Sequence, residues 1–356
     1  MKILVKKILK ISVVILITTG TLSGCLPIPN VIYDEDCLIF KNIPYSEEIV
    51  IPEIPEVDMK NIHRLEEEIK KNPDLAKING LMEMIEKSKD PSKSFFTSPR
   101  ILDLYTTRDV FLSNEQRPAI MIIHGGTWIG GDKSEKDMIN AAKYLVHKGY
   151  IVVSINYRLA PLDGTWPIMI DDCALALDWM RQGEFNINSD KIGVIGISAG
   201  GHLSSLLSVS EETRNKIACN ISFFGPANIP QSIGYEGERC LISNIIQETP
   251  FLKELFEQMI FGTTYKDNKD FFFEISPFHI IPEEEMSPTF LYHGLKDPII
   301  HWSQSEAYHN KLIAMGHYSE LIIDPEGDHN FPKVFFEEGG ELFERFNNFL
   351  NLHLKG

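Results

Sequence analysis

From Ile101 onward the chain alternates short apolar runs with longer segments whose apolar residues recur at helical spacing. Ala119-Ile120-Met121-Ile122-Ile123 and Ile151-Val152-Val153-Ser154-Ile155 are nearly unbroken apolar runs, the pattern of parallel strands covered on both faces. Between them, 135–148 has an amphipathic helical pattern that closes at Gly149. The spacing then predicts a helix over 168–182, a strand over Ile192–Ile197 and a helix over Gly200–Val209. Strands follow at 217–224, 289–293 and 319–323, with a helix over 303–315. Such alternation implies an α/β fold: a doubly wound, mostly parallel sheet with helices on both faces. Residues 228–285 break the rhythm. They are aromatic and acidic, lie between two predicted strands, and read as a cap-like insertion over the C-terminal strand ends, where ligands bind in these folds.

Upstream of this 101–356 catalytic domain the pattern changes. Residues 57–100 read as a helical N-terminal extension, with Leu65, Ile69, Leu75, Ile78, Leu81 and Ile85 near helical spacing among lysines and glutamates. Residues 25–56 are rich in proline and read as a tether and irregular segment. Within residues 1–24, Lys2, Lys6, Lys7 and Lys10 precede the apolar run Ile11–Ile17, and small residues follow. That is the order of an export signal, and the apolar run is short for a spanning helix. It ends in Leu22-Ser23-Gly24-Cys25, which resembles the lipobox of bacterial lipoproteins. The resemblance implies lipidation at Cys25 and an exported protein anchored to a bacterial membrane, facing the periplasm or the cell surface.

Composition narrows the partners. With 43% hydrophobic and 24% charged residues the chain can bury an ordinary core, and its formal charge of -16 argues against nucleic acid. Besides Cys25 there are Cys37, Cys173, Cys219 and Cys240, none with CxxC or Cys/His metal spacing. Cys173 and Cys219 are expected to pack as small apolar residues, and Cys37 and Cys240 are candidates for pairing in an oxidising compartment.

The chemistry concentrates at strand ends. Gly196-Ile197-Ser198-Ala199-Gly200 fits G-x-S-x-G, with a strand pattern before it and a helical pattern after it. A tight turn there lifts the Ser198 hydroxyl above the sheet, and glycines two residues to either side leave it room. Ser204, Ser205 and Ser208 lie further along the helix and read as packing or capping residues. His124-Gly125-Gly126-Thr127-Trp128 follows the strand 119–123 directly. Developing negative charge needs pre-aimed N–H donors, which points to the backbones of Gly126, Thr127 and Ala199 as an oxyanion hole. His124 reads as a structural hydrogen-bonder and Trp128 as a pocket wall or a core residue. After the insertion, Asp297 and His329 both sit on loops that follow predicted strands, giving the order Ser, Asp, His. His329 is placed as the base for Ser198 and Asp297 as the group that orients its ring. His293 and His301 flank Asp297 out of order, and Asp324 and Asp328 are too close in sequence to His329 to face it easily.

These segments carry a family resemblance from about Asp103 to Leu354. His124–Lys133 is similar to the oxyanion segment of hormone-sensitive-lipase-like carboxylesterases of the α/β-hydrolase superfamily, in the branch of acetylxylan and feruloyl esterases and kynurenine formamidases. Asn156-Tyr157-Arg158-Leu159-Ala160-Pro161, Pro167 with Asp172, and Ser198-Ala199-Gly200-Gly201-His202-Leu203 resemble its next blocks. Thr127 stands where many relatives have a third glycine. The resemblance implies a serine esterase that hydrolyses short-chain acyl esters, small or carbohydrate-borne, through an acyl-serine intermediate, with no metal or cofactor. Arg158 and Asp172 are the sort of pair that braces these folds. An amidase, formamidase or acyltransferase would use the same residues; a binding lipoprotein without activity would have no need of all of them.

Overall fold

The computed structural model describes residues 30–34, 36–46, 59–71, 73, 82, 100–113, 115–161, 165–237, 250–330 and 340–356. The apolar runs form the strands β4 (Arg117–Ile123), β5 (Ile151–Ile155), β6 (Ile187–Ile197), β7 (Cys219–Phe223), β8 (Thr289–Gly294) and β9 (Ser319–Asp324), which pair in parallel in the order β5-β4-β6-β7-β8-β9. Successive side chains on a strand point to opposite faces, and here both faces are covered. Met121, Ile123, Val153 and Val194 pack with Cys173, Ala176 and Leu177 of one helix, and with Leu203 and Leu207 of another. Ile120, Ile122, Val152, Ile195 and Cys219 face the other way, onto Ala141, Ala142 and Leu145 and onto Phe346 and Phe349. Each Val, Leu, Ile, Met or Phe side chain among them, fully buried, contributes roughly 1.5–3 kcal/mol.

The helices, in chain order, are α1 (Met59–Lys71), α2 (Arg108–Leu112), α3 (Lys136–His147), α4 (Ile168–Arg181), α5 (Ala199–Val209), α6 (Ile229–Ser232), α7 (Pro250–Phe261), α8 (Lys269–Glu274), α9 (Ser303–Ala314) and α10 (Glu341–Leu350). Helices α6, α7 and α8 lie within the insertion. It is tied down at its base: the amide of Trp166 donates to the Ile260 carbonyl at 2.9 Å, and Nε2 of His202 on α5 meets the Ile275 carbonyl at 2.7 Å.

The N-terminal boundary needs correction. Within 25–56, read as tether and irregular chain, residues 30–44 form β1 (Asn30–Asp34) and β2 (Cys37–Pro44), an antiparallel hairpin. Asp36 takes a φ of 68° between the two strands, and short polar residues tolerate this left-handed conformation best after glycine. Strand β2 buries Cys37, Leu38, Ile39 and Phe40 and pairs antiparallel with β3 (Ile101–Thr107), which pairs antiparallel with β5. Among the described residues the sheet therefore has nine strands, and it starts well before residue 101. A charge in mid-strand hides β3: Asp103 is fully buried, and it is tolerable because Lys133 Nζ lies 2.9 Å from its Oδ1 and the Asn42 amide donates to the same oxygen.

The start of the helical extension is α1, whose Ile69 packs against the main core and whose Arg64 guanidinium lies 3.5 Å from the centre of the Phe251 ring on α7. Leu75, Ile78, Leu81 and Ile85 lie outside the described residues, as do residues 1–29 with Cys25, and Cys240. Among the described residues no helix is long and apolar enough to cross a membrane.

Candidate active site

The strand β6 ends at Ile197 and α5 begins at Ala199, so Ser198 is the whole turn between them. Its φ of 55° and ψ of −117° are strained for a residue with a Cβ. The turn survives because its surroundings over-determine it. The Ser198 amide donates to the Phe223 carbonyl on β7 at 2.9 Å, and the Ser198 carbonyl accepts from the His202 amide at 3.1 Å. A Cβ on Gly196 would collide with the Gly200 carbonyl, and one on Gly200 with the Ile123 carbonyl. Both flanking glycines are therefore steric necessities.

Two further loops meet this turn. The loop after β8 carries Asp297 and the loop after β9 carries His329. They are laced together: the Leu295 amide donates to the Asp324 carbonyl at 2.8 Å and the Lys296 amide to the Gly327 carbonyl at 2.9 Å. The result is a continuous relay. The Ser198 hydroxyl lies 2.9 Å from His329 Nε2, and His329 Nδ1 lies 2.6 Å from Asp297 Oδ2. In that arrangement the hydroxyl donates to Nε2 while Nδ1–H donates to the carboxylate.

Asp297 is held from every side. Its Oδ1 accepts from the amides of Ile299 and Ile300 at 2.8 and 2.9 Å. Burial alone would raise its pKa, but hydrogen bonds from His293 and His329 prevail and hold the carboxyl well below the usual carboxylate range.

The sequence passed over one contributor to this site. His293, set aside as a base, is fully buried with its Nε2 3.2 Å from Asp297 Oδ2 and 2.9 Å from the Ile300 carbonyl, while Nδ1 meets the Ser305 hydroxyl at 2.8 Å. It braces the acid rather than replacing His329. Its position four residues before Asp297, at the end of a strand, was the available signal. The rival acids are engaged elsewhere: Asp324 accepts from the Tyr292 hydroxyl and Asp328 from Asn330. His301 pairs with Ser303.

The loop after β4 closes the remaining side. Gly126, Thr127 and Trp128 have φ values of 113°, 54° and 60°, and the Gly126 carbonyl accepts from the amides of Ile129 and Gly130 at 3.0 Å. A β-branched Thr127 in that region is costly, and it stands where glycine would be free. His124 stacks on Tyr157 with ring centres 4.4 Å apart and its Nδ1 meets the Gly125 carbonyl at 2.7 Å, a structural role. Thr127, Trp128, Ser198 and Ala199 line one cavity, whose other wall is Phe256, Ile260 and Phe261 of α7. Ala199 opens α5, so its amide belongs to a helix's first turn, where N–H groups have no intrahelical acceptor. Of the other insertion aromatics, Tyr235 and Tyr265 stack on each other at 4.1 Å and Phe272 is fully buried in the core.

Behind the site, Asp172 is fully buried and clamped: Arg158 meets both its oxygens at 2.9 Å and Arg100, just before β3, reaches Oδ1 at 2.8 Å. The second arginine was not legible from the sequence, because it comes from a distant segment.

A model of the family BD-FAE matches residues 102–312, from β3 through most of α9. The chain belongs to the BD-FAE family. This BD-FAE chain is 28% identical over 260 residues to Esterase LipQ of Mycobacterium tuberculosis, a match covering 71% of the chain and 59% of that relative's length. It is 40% identical over 93 residues to the Arylesterase of Saccharolobus solfataricus, covering 25% of the chain and 29% of the relative. Among solved structures it is similar to a truncated form of carbohydrate esterase from gut microbiota, with a TM-score of 0.63 and 17% identity over 89% of this chain and 96% of the other. An acetyl ester-xyloside bifunctional hydrolase from Caldicellulosiruptor lactoaceticus aligns with a TM-score of 0.57 and 19% identity over 94% and 97%. The fold is that of an α/β-hydrolase.

Proposed function

We propose that this BD-FAE chain is a serine carboxylesterase that hydrolyses short-chain acyl esters. The observation that carries the reading is the unbroken relay, 2.9 Å from the Ser198 hydroxyl to His329 and 2.6 Å from His329 to Asp297, opening into an apolar cavity. His329 takes the hydroxyl proton as Ser198 Oγ attacks the ester carbonyl, and the tetrahedral oxyanion is met by backbone N–H groups of Gly126, Thr127 and Ala199. Collapse breaks the bond to the leaving alcohol, which receives the proton from His329. Water, deprotonated by the same ring, then hydrolyses the acyl-serine. Asp297, kept ionised, fixes the imidazole and stabilises its charged form. Names among the relatives lend support, as LipQ is called an esterase. The experiment is turnover of a panel of p-nitrophenyl esters combined with fluorophosphonate labelling. Labelling at a serine other than Ser198 would sink the assignment.

The residues Leu22-Ser23-Gly24-Cys25 support a further part of the proposal: export, and lipid attachment at Cys25. The mature protein should then partition into detergent, and Cys25→Ser should release it or leave the signal uncleaved. Mass spectrometry that finds Cys25 unmodified within the mature chain would overturn this.

A further inference from the structure

Phe224 follows β7 and takes a φ of 41°, in the left-handed region that a bulky residue enters only under constraint. Its backbone is held from both sides. The carbonyl of Phe223, one residue before it, accepts from the Ser198 amide at 2.9 Å, and the Phe224 amide donates to the Tyr292 carbonyl on β8 at 2.7 Å. Glycine would take this conformation freely, yet the chain has its glycine at the next position, where a Cβ would collide with Ser222 and Gly201. Strain of this kind persists where the surroundings over-determine it, and such residues gather around chemistry. The ring shows what the strain secures. Phe224 is 1% exposed, and its ring centre lies 4.5 Å from that of His329, the two planes inclined at 51°. It also meets His293, which braces Asp297, edge to face with ring centres 6.4 Å apart.

Hydrogen bonds to Ser198 and Asp297 hold His329 at its two nitrogens. They do not hold it through a whole cycle, because the bond from the Ser198 hydroxyl is gone once Oγ carries an acyl group. Rotation about the Cβ–Cγ bond of a histidine is only softly restricted, so the imidazole then depends on packing for its aim. A ring pressed against it serves in every step. We propose that Phe224 is a positioning residue for His329: it blocks rotation of the imidazole and keeps Nε2 on the line it needs, first for the serine proton, then for the leaving alcohol and the incoming water. This rests on the esterase reading of Ser198.

Two variants of the full chain test it. Phe224→Leu keeps most of the apolar volume, and Phe224→Gly removes the ring while relieving the backbone, which offsets part of the lost packing. Turnover of p-nitrophenyl acetate is measured per site titrated with fluorophosphonate, so that unfolded protein is not counted. Misplacing a reacting group by about 1 Å can cost on the order of 100-fold, so Phe224→Gly should lower kcat by about 100-fold and Phe224→Leu by about 10-fold. KM should stay within about twofold, since acylation and deacylation use the same imidazole and slow together. The low-field proton resonance of His329 Nδ1–H bound to Asp297 should broaden or vanish in Phe224→Gly. A kcat per site within about threefold of the unaltered protein in both variants, a loss carried by KM, or a resonance unchanged in both overturns the proposal. No ester turnover by the unaltered protein, with a resonance that Phe224→Gly abolishes, defeats the esterase reading alone. Turnover that neither substitution slows defeats the Phe224 assignment alone.

Discussion

Ser198 has nothing unusual about it as an amino acid; its geometry sets it apart. Three strand ends converge on it, and the hydroxyl is aligned with a ring that is itself aligned by a buried carboxylate. Groups acting as such a unit fail together, so Ser198→Ala should lower kcat by on the order of 10⁶-fold where chemistry limits the wild type. Steady-state assays on p-nitrophenyl acetate with the two proteins check it; a drop of tenfold or less would remove Ser198 from the mechanism. At this scale the sequence was most informative about residues with short-range signatures. Ser198 sits among obligatory glycines, and Asp297 and His329 follow strands in the expected order. His293 and Arg100 were not found, because their meaning arises only when distant segments meet: one braces Asp297 and the other clamps Asp172.

Among the elements, the parallel strands and their covering helices announced themselves through unbroken apolar runs and helical spacing. The antiparallel edge did not. In β3 a buried Asp103, matched by Lys133, interrupts the apolar pattern, and β1 and β2 are too short to outweigh the prolines around them. The link between α5 and the insertion was likewise invisible, although it shapes how the protein meets acid. His202 is fully buried, and burial holds its pKa down to about 4, from the ordinary 6.5, against the bond to Ile275 that favours protonation. The folded state therefore declines a proton that the unfolded chain takes up. Stability falls as pH drops between those two values and levels off below the lower one, a loss of up to about 3 kcal/mol from this group. Urea unfolding at neutral pH and in mild acid should show a smaller acid-induced loss for His202→Gln than for the unaltered protein. Equal losses would count against a neutral His202.

For the whole molecule, the insertion supplies α7, which walls the cavity beside Ser198, and on the esterase reading that wall would set acyl selectivity. Which rings of the insertion line the cavity was not legible from its aromatic content: Phe256 and Phe261 do, while Tyr235 and Tyr265 stack on each other. Methylenes in an apolar pocket are worth only about 1–3 kcal/mol each, so chain-length preference should be graded. Acetyl to butyryl p-nitrophenyl esters should be cleaved fastest and decanoyl esters slowly, since α7 bounds the space. Decanoyl turnover equal to or above that of butyryl would mean that this wall moves.

The strained turn at Ser198 also sets the chemistry against the durability of the fold. Holding a residue with a Cβ at that φ and ψ costs about 1–3 kcal/mol, and alanine would inherit the whole of it. Glycine would not, and its greater freedom in the unfolded chain takes back only about 0.5–1 kcal/mol. Of two inactive proteins, Ser198→Gly should therefore melt at a higher temperature than Ser198→Ala, the positive φ adding to the ordinary preference for glycine over alanine at a helix N-cap. If alanine melts higher, the turn is relaxed. Otherwise Ser198 is kept at the expense of heat resistance, and substitutions that harden the fold without regard to activity should accumulate first at this turn.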